Sequence, residues 1–89
     1  MNYEELRDAL PLPELMKKVG DGARAKRIAF CPFHDDVNRM SFGIYQNGRR
    51  WRWKCFAGCP GSDEADYLKL RFNLTDEGAK RKWEELANQ

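Results

Sequence analysis

Cys31, His34, Cys55 and Cys59 are all of the cysteines and the only histidine of this chain, and they fall into two close pairs. Cys31-Pro32-Phe33-His34 sets two donors around a short turn, and Cys55-Phe56-Ala57-Gly58-Cys59 sets two more, with residues 35–54 between the pairs. That spacing suits a tetrahedral zinc site in which each turn supplies two ligands. The length makes such a staple valuable. A chain of 89 residues buries only a little over about 60% of its unfolded surface, so folds of this size often need a disulfide, a metal or a partner. Three cysteines would leave one thiol over in any disulfide framework. Zinc binding at sites of this type contributes roughly 10–16 kcal/mol in peptides, as much as the net stability of a whole domain. Three thiolates and one imidazole fill every position, leaving none for an activated water. The expectation is therefore one structural Zn²⁺, held by Cys31, His34, Cys55 and Cys59. A redox pair is disfavoured, because Cys55 and Cys59 are not spaced C-x-x-C and no thioredoxin-like pattern surrounds them.

The elements follow from periodicity. Asn2 with Glu5 marks a helix start, Leu6 and Leu10 share a face, and Pro11 ends the run. Pro13 opens a second short helix through Leu15, Met16 and Val19, which Gly20-Asp21-Gly22 breaks. These two helices are expected to cover one side of a sheet. Arg27–Phe30 reads as a strand leading into Cys31. Residues 41–45 and 50–55 alternate around Gln46-Asn47-Gly48-Arg49, a hairpin signal. With Asn47-Gly48 as the loop, Ile44 faces Trp51, Phe42 faces Trp53 and Met40 faces Cys55. One face then carries Met40, Phe42, Ile44, Trp51, Trp53 and Cys55, and the other Ser41, Gly43, Tyr45, Arg50, Arg52 and Lys54. Asp63 caps a helix with Ala65, Leu68 and Phe72 on one stripe, and Thr75 caps another striped by Ala79, Trp83 and Leu86. The fold class is α+β: one domain over 1–89, with a helical lead-in at 1–22, a metal-bound middle at 25–62 around a hairpin at about 40–55, and C-terminal helices at 63–88.

Net charge hides an asymmetry. The whole chain carries +2, yet Arg24, Lys26, Arg27, Arg39, Arg49, Arg50, Arg52 and Lys54 crowd one segment that holds only Asp35 and Asp36 in opposition. A basic middle flanked by acidic helices points to a polyanion. Trp51 and Trp53 share a face with Cys55 and belong to the core. The opposite face gathers Arg50, Arg52 and Lys54 around Tyr45, with Arg39 and Arg49 extending the strip. Gly43 and Ser41 leave room for close approach. Cations that track phosphates and a ring that accepts a base suit single-stranded nucleic acid. Asp35 and Asp36 are also placed to pair with Arg39. No run approaches the ~18 apolar residues of a membrane span, and the N-terminus lacks a signal peptide's basic start and apolar middle. A soluble, cytoplasmic protein without a membrane partner is expected.

Cys31-Pro-Phe-His34, Ser41-Phe42, Trp53-Lys-Cys55-Phe56, Cys59 and Gly61-Ser-Asp63-Glu-Ala-Asp-Tyr-Leu68 together resemble the zinc-binding domain of bacterial and phage DnaG-type DNA primases, the CHC2 zinc finger. The similarity covers about residues 25–70. It implies a small zinc ribbon on an antiparallel sheet that helps select single-stranded template DNA for RNA primer synthesis. It also implies a bacterial, phage or mobile-element origin, and either the N-terminal piece of a larger primase or a stand-alone protein that works with a separate primase catalytic subunit or a helicase. Two positions depart from the family: Cys55 and Cys59 are one residue further apart than its usual C-x2-C, and Met40 stands where a proline often precedes Ser-Phe. The polymerising domain of that family would lie beyond Gln89, so this chain alone is not expected to make primers. Asp63, Asp66, Glu84 and Glu85 are read as capping or solvated positions, and no residue is assigned a catalytic role. The competing expectation is a zinc-stabilised interaction module that docks a replication partner through its helices, including the Trp83 stripe.

Overall fold

The computed structural model of the chain describes residues 1–34 and 40–89. Asp35, Asp36 and Arg39 lie outside the described residues, and with them the pairing expected among them. Helix α1 (Tyr3–Ala9) is capped by Asn2 and Glu5 reciprocally: Glu5 N–H donates to Asn2 Oδ1 at 2.8 Å, and Asn2 N–H to Glu5 Oε1 at 3.3 Å. Helix α2 (Leu12–Lys18) begins one residue before Pro13, and a 3-10 turn over Gly22–Arg24 follows the glycine break. Strands β1 (Phe42–Asn47) and β2 (Arg50–Cys55) form an antiparallel hairpin. Helices α3 (Glu64–Phe72) and α4 (Asp76–Ala87) start at Asp63 and Thr75, each of which accepts the expected cap hydrogen bond.

The hairpin keeps the expected faces but not the expected partners. Phe42 faces Cys55, Gly43 faces Lys54, Ile44 faces Trp53 and Tyr45 faces Arg52. The loop is therefore Gly48-Arg49, with Gly48 at φ 67° and Asn47 kept in the ladder opposite Arg50. A two-residue turn with glycine first needs positive φ there, as in type II′, whereas Asn47-Gly48 would need it at both residues of a type I′ turn. Moving the loop by one residue shifts every pair by two, and a shift of two leaves each side chain on its own face. Met40 falls outside the strand and is 50% exposed, not in the core.

Arg27–Phe30 does not form a strand. Ala29 alone exchanges both backbone hydrogen bonds with Phe42, at 2.7 and 3.0 Å, and the next bond runs from Ile44 N–H to the Lys26 carbonyl. Arg27 and Ile28 thus stand together opposite Gly43, which makes a bulge. The bulge brings the Arg27 carbonyl oxygen into the space that a Cβ on Gly43 would take. The room left by Gly43 is filled by the chain's own backbone, not left open for a ligand.

The core joins two groups. Trp83 packs against the lead-in, with its Nε1 donating to the Leu10 carbonyl at 3.0 Å and its ring 6.1 Å from that of Tyr3. Helices α1 and α2 pack on α4 more than on the sheet. Beneath the hairpin, Phe42, Trp53, Tyr67 and Phe33 form an aromatic cluster, with the Phe33 ring 5.1 Å from Trp53 and 5.0 Å from Tyr67. The α3 stripe runs through Glu64, Tyr67 and Leu68, while Ala65 is half-buried and Phe72 is at the surface. Tyr67 can be buried because its hydroxyl donates to Asp21, which also accepts from Arg71 Nε at 2.9 Å. Among the described residues no helix is long and apolar enough to cross a membrane.

Candidate metal centre and the face beside it

The first ligand pair is placed by the segment that leaves Ala29. Phe33, between Cys31 and His34, anchors this turn in the aromatic cluster, and Arg24 Nη1 donates to the Cys31 carbonyl at 3.0 Å. Cys55 ends β2, where Phe56 N–H donates to the Ser41 carbonyl at 2.7 Å. Gly58 then turns the chain at φ 103°, with its N–H on the Cys55 carbonyl at 3.2 Å. That left-handed residue accommodates the extra position of the Cys55–Cys59 loop, since glycine bears no Cβ to clash there. Behind it, Gly61 lies so close to Trp53 that a Cβ would come within 2.8 Å of the indole.

The four donor atoms converge: all lie within 4.8 Å of one another. Cys31 Sγ is 3.8 Å from Cys59 Sγ, and His34 Nε2 is 3.2 Å from Cys55 Sγ. Thiolates bound at about 2.3 Å in a tetrahedron stand about 3.8 Å apart. The sulfur pair already has that spacing, and the imidazole pair is slightly tighter. Burial pushes the Cys31 thiol up to about 12, helped by the neighbouring thiols. Burial also pushes the Cys55 thiol up, but hydrogen bonds from His34 and from the backbone at Cys59 and Ala57 outweigh it and bring it down to about 6. The donor set fits a metal ion, whose charge would let the remaining thiols ionise on binding. Cys31, His34, Cys55 and Cys59 can together hold one.

Of the residues expected on the basic face, Tyr45, Arg50, Arg52 and Lys54 do share one side of the hairpin, and Arg49 sits in the turn at its tip. Tyr45 is 44% exposed. Arg52 is half-buried and donates to Ser62 Oγ at 3.2 Å, so it is partly engaged within the chain. Arg49, Arg50 and Lys54 pair with no carboxylate among the described residues. Phe56, 77% exposed, lies beyond them with Lys54 Nζ 5.1 Å from its ring centre. Phe56 is absent from the strip expected from sequence, although alternation through Arg50, Arg52 and Lys54 points to position 56 as the next on that face. Trp53 is in the core as expected, while Trp51 is only half-buried. The carboxylates are used structurally: Asp63 caps α3, Asp66 accepts from Ser62 N–H at 3.0 Å, and Glu84 meets the N-terminal amine at 3.2 Å. No family model, no curated protein and no solved structure matches the chain.

Proposed function

We propose that this chain is a zinc-stapled module that binds single-stranded nucleic acid on the outer face of its hairpin. The observation that carries this reading is the makeup of that face. Among the described residues, Arg50 and Lys54 have no acidic partner, and they stand beside the exposed rings of Tyr45 and Phe56. Cations interleaved with aromatic rings serve a flexible polyanion whose bases are unstacked. Zinc is the ion of choice for three thiolates and one imidazole in a tetrahedron. In the primase setting that the motifs resemble, the strand would be template DNA, and a separate catalytic subunit or helicase would complete the machinery in the cytoplasm. Docking of a protein through the Trp83 stripe has less support, because Ala79, Trp83 and Leu86 are buried within the fold, with Trp83 against the lead-in.

Binding of a short oligothymidylate to the metal-loaded protein, measured across a salt series, tests the proposal. Affinity should fall steeply with salt. Replacing Arg50, Arg52 and Lys54 together by Ala should make the log–log slope shallower by roughly 2 while metal content stays unchanged. Unchanged affinity and slope in the triple variant would remove this face as the binding site.

A further inference from the structure

A cleft of about 390 Å³ opens between the lead-in and the hairpin, lined by Pro11, Pro13, Ala25, Ile44 and the half-buried Trp51. Lys26 and Arg27 edge it, both exposed and neither paired with a carboxylate among the described residues. Its one acid among the described residues, Glu14, is held by Lys17 at 3.5 Å. A small, largely apolar cavity with a flat aromatic wall and cations at its mouth suits a planar apolar group that carries a negative charge. A nucleotide has that chemistry.

The cleft also neighbours the basic face of the hairpin. A second depression, of about 220 Å³, shares Arg27 and Ile44 with it and is lined further by Tyr45, Lys54 and Phe56. A third, beside Met40, shares Phe56 with the second. The three hollows therefore lie next to one another, with Arg27 shared by the first two and Phe56 by the last two. We infer that the Trp51 cleft is a nucleobase site on the path of the single strand, with one base against the indole and Lys26 and Arg27 at its phosphate. This rests on the single-strand function proposed for the hairpin face. It assigns to Trp51 a contact with ligand, which its place on the core-facing side of β2 does not suggest.

Tryptophan emission tests it, because Trp53 and Trp83 are each only 1% exposed and Trp51 alone can meet a ligand. Adding a short oligothymidylate to the metal-loaded protein should quench the emission. Trp51→Leu, which keeps the cleft apolar but removes the ring, should abolish that change and weaken binding roughly 5- to 150-fold with metal content unchanged. Lys26→Ala, at an exposed position, should flatten the salt slope by roughly 0.7. An oligomer that binds both folded variants with wild-type affinity and salt slope overturns the cleft assignment and leaves the hairpin face standing. Failure of the wild-type protein to bind the oligomer at all overturns both readings. Thymidine monophosphate acting as strongly as the oligomer would make the cleft a site for free nucleotides and overturn its place on a strand.

Discussion

Glu64 is the residue that sits least easily in this fold. Its side chain is 1% exposed, and its Oε1 has no hydrogen-bond partner among the described residues. Burial holds its carboxyl above the ordinary range and the neighbouring Asp63 adds to this, while backbone hydrogen bonds at Glu64 and Leu12 and the charge of Arg7 only partly oppose it. A carboxyl raised in the folded chain contributes stability that is fully present below its unfolded value of about 4.3 and is lost as pH rises through the folded value. Glu64→Gln should therefore stabilise the protein near pH 7, on the order of 1–3 kcal/mol, by removing a group whose ionisation the fold opposes. The advantage over wild type should shrink toward pH 4, as read from paired urea titrations. An advantage independent of pH would show that the carboxyl is not raised. Gly43 makes the opposite case, a residue with no freedom to change. Gly43→Ala would drive a methyl into the Arg27 carbonyl and should cost about 1–3 kcal/mol in the same titrations. Neither role was legible in the sequence. An acid in the first turn of a helix is ordinary in sequence and does not announce its burial, and the purpose of Gly43 depends on a bulge that the hydrophobic pattern of Arg27–Phe30 conceals.

At the level of elements, alternation and caps carried most of the information. Asn2, Asp63 and Thr75 start their helices as their side chains dictate. The two faces of the hairpin also come from alternation, because a shift of two residues preserves them. The pairing itself did not, since Asn47-Gly48 and Gly48-Arg49 are both chemically sound loops and only backbone φ distinguishes them. The α3 stripe was displaced for a long-range reason: Tyr67 reaches Asp21, forty-six residues away in the chain. Trp53 ties the hairpin to the segment that leads into α3, as its N–H meets the Ser62 carbonyl at 3.0 Å and its Nε1 the Asp63 carbonyl at 2.8 Å. Trp53→Ala should therefore lower stability by about 3–5 kcal/mol. A folded variant of wild-type stability, by thermal unfolding, would contradict that core assignment.

Across the whole molecule, the ligand set was the most legible feature, because every cysteine and the only histidine belong to it. What the sequence could not supply was how the two pairs reach each other. Phe33 fixes one turn in the aromatic cluster through contacts distant in the chain, and Gly58 bends the other through its backbone. The same candidate centre links stability to the proposed binding face, since Cys55 ends the strand that bears Arg50, Arg52 and Lys54. Acid should loosen metal binding, as protons compete for the thiolates and the imidazole. The most direct test of the central claim is the metal content of the native chain by mass spectrometry, together with its amide spectrum after chelation. One zinc per chain is expected, lost in Cys55→Ser, with the hairpin resonances collapsing once the ion is removed. A metal-free chain whose hairpin amides keep their dispersed positions would contradict it.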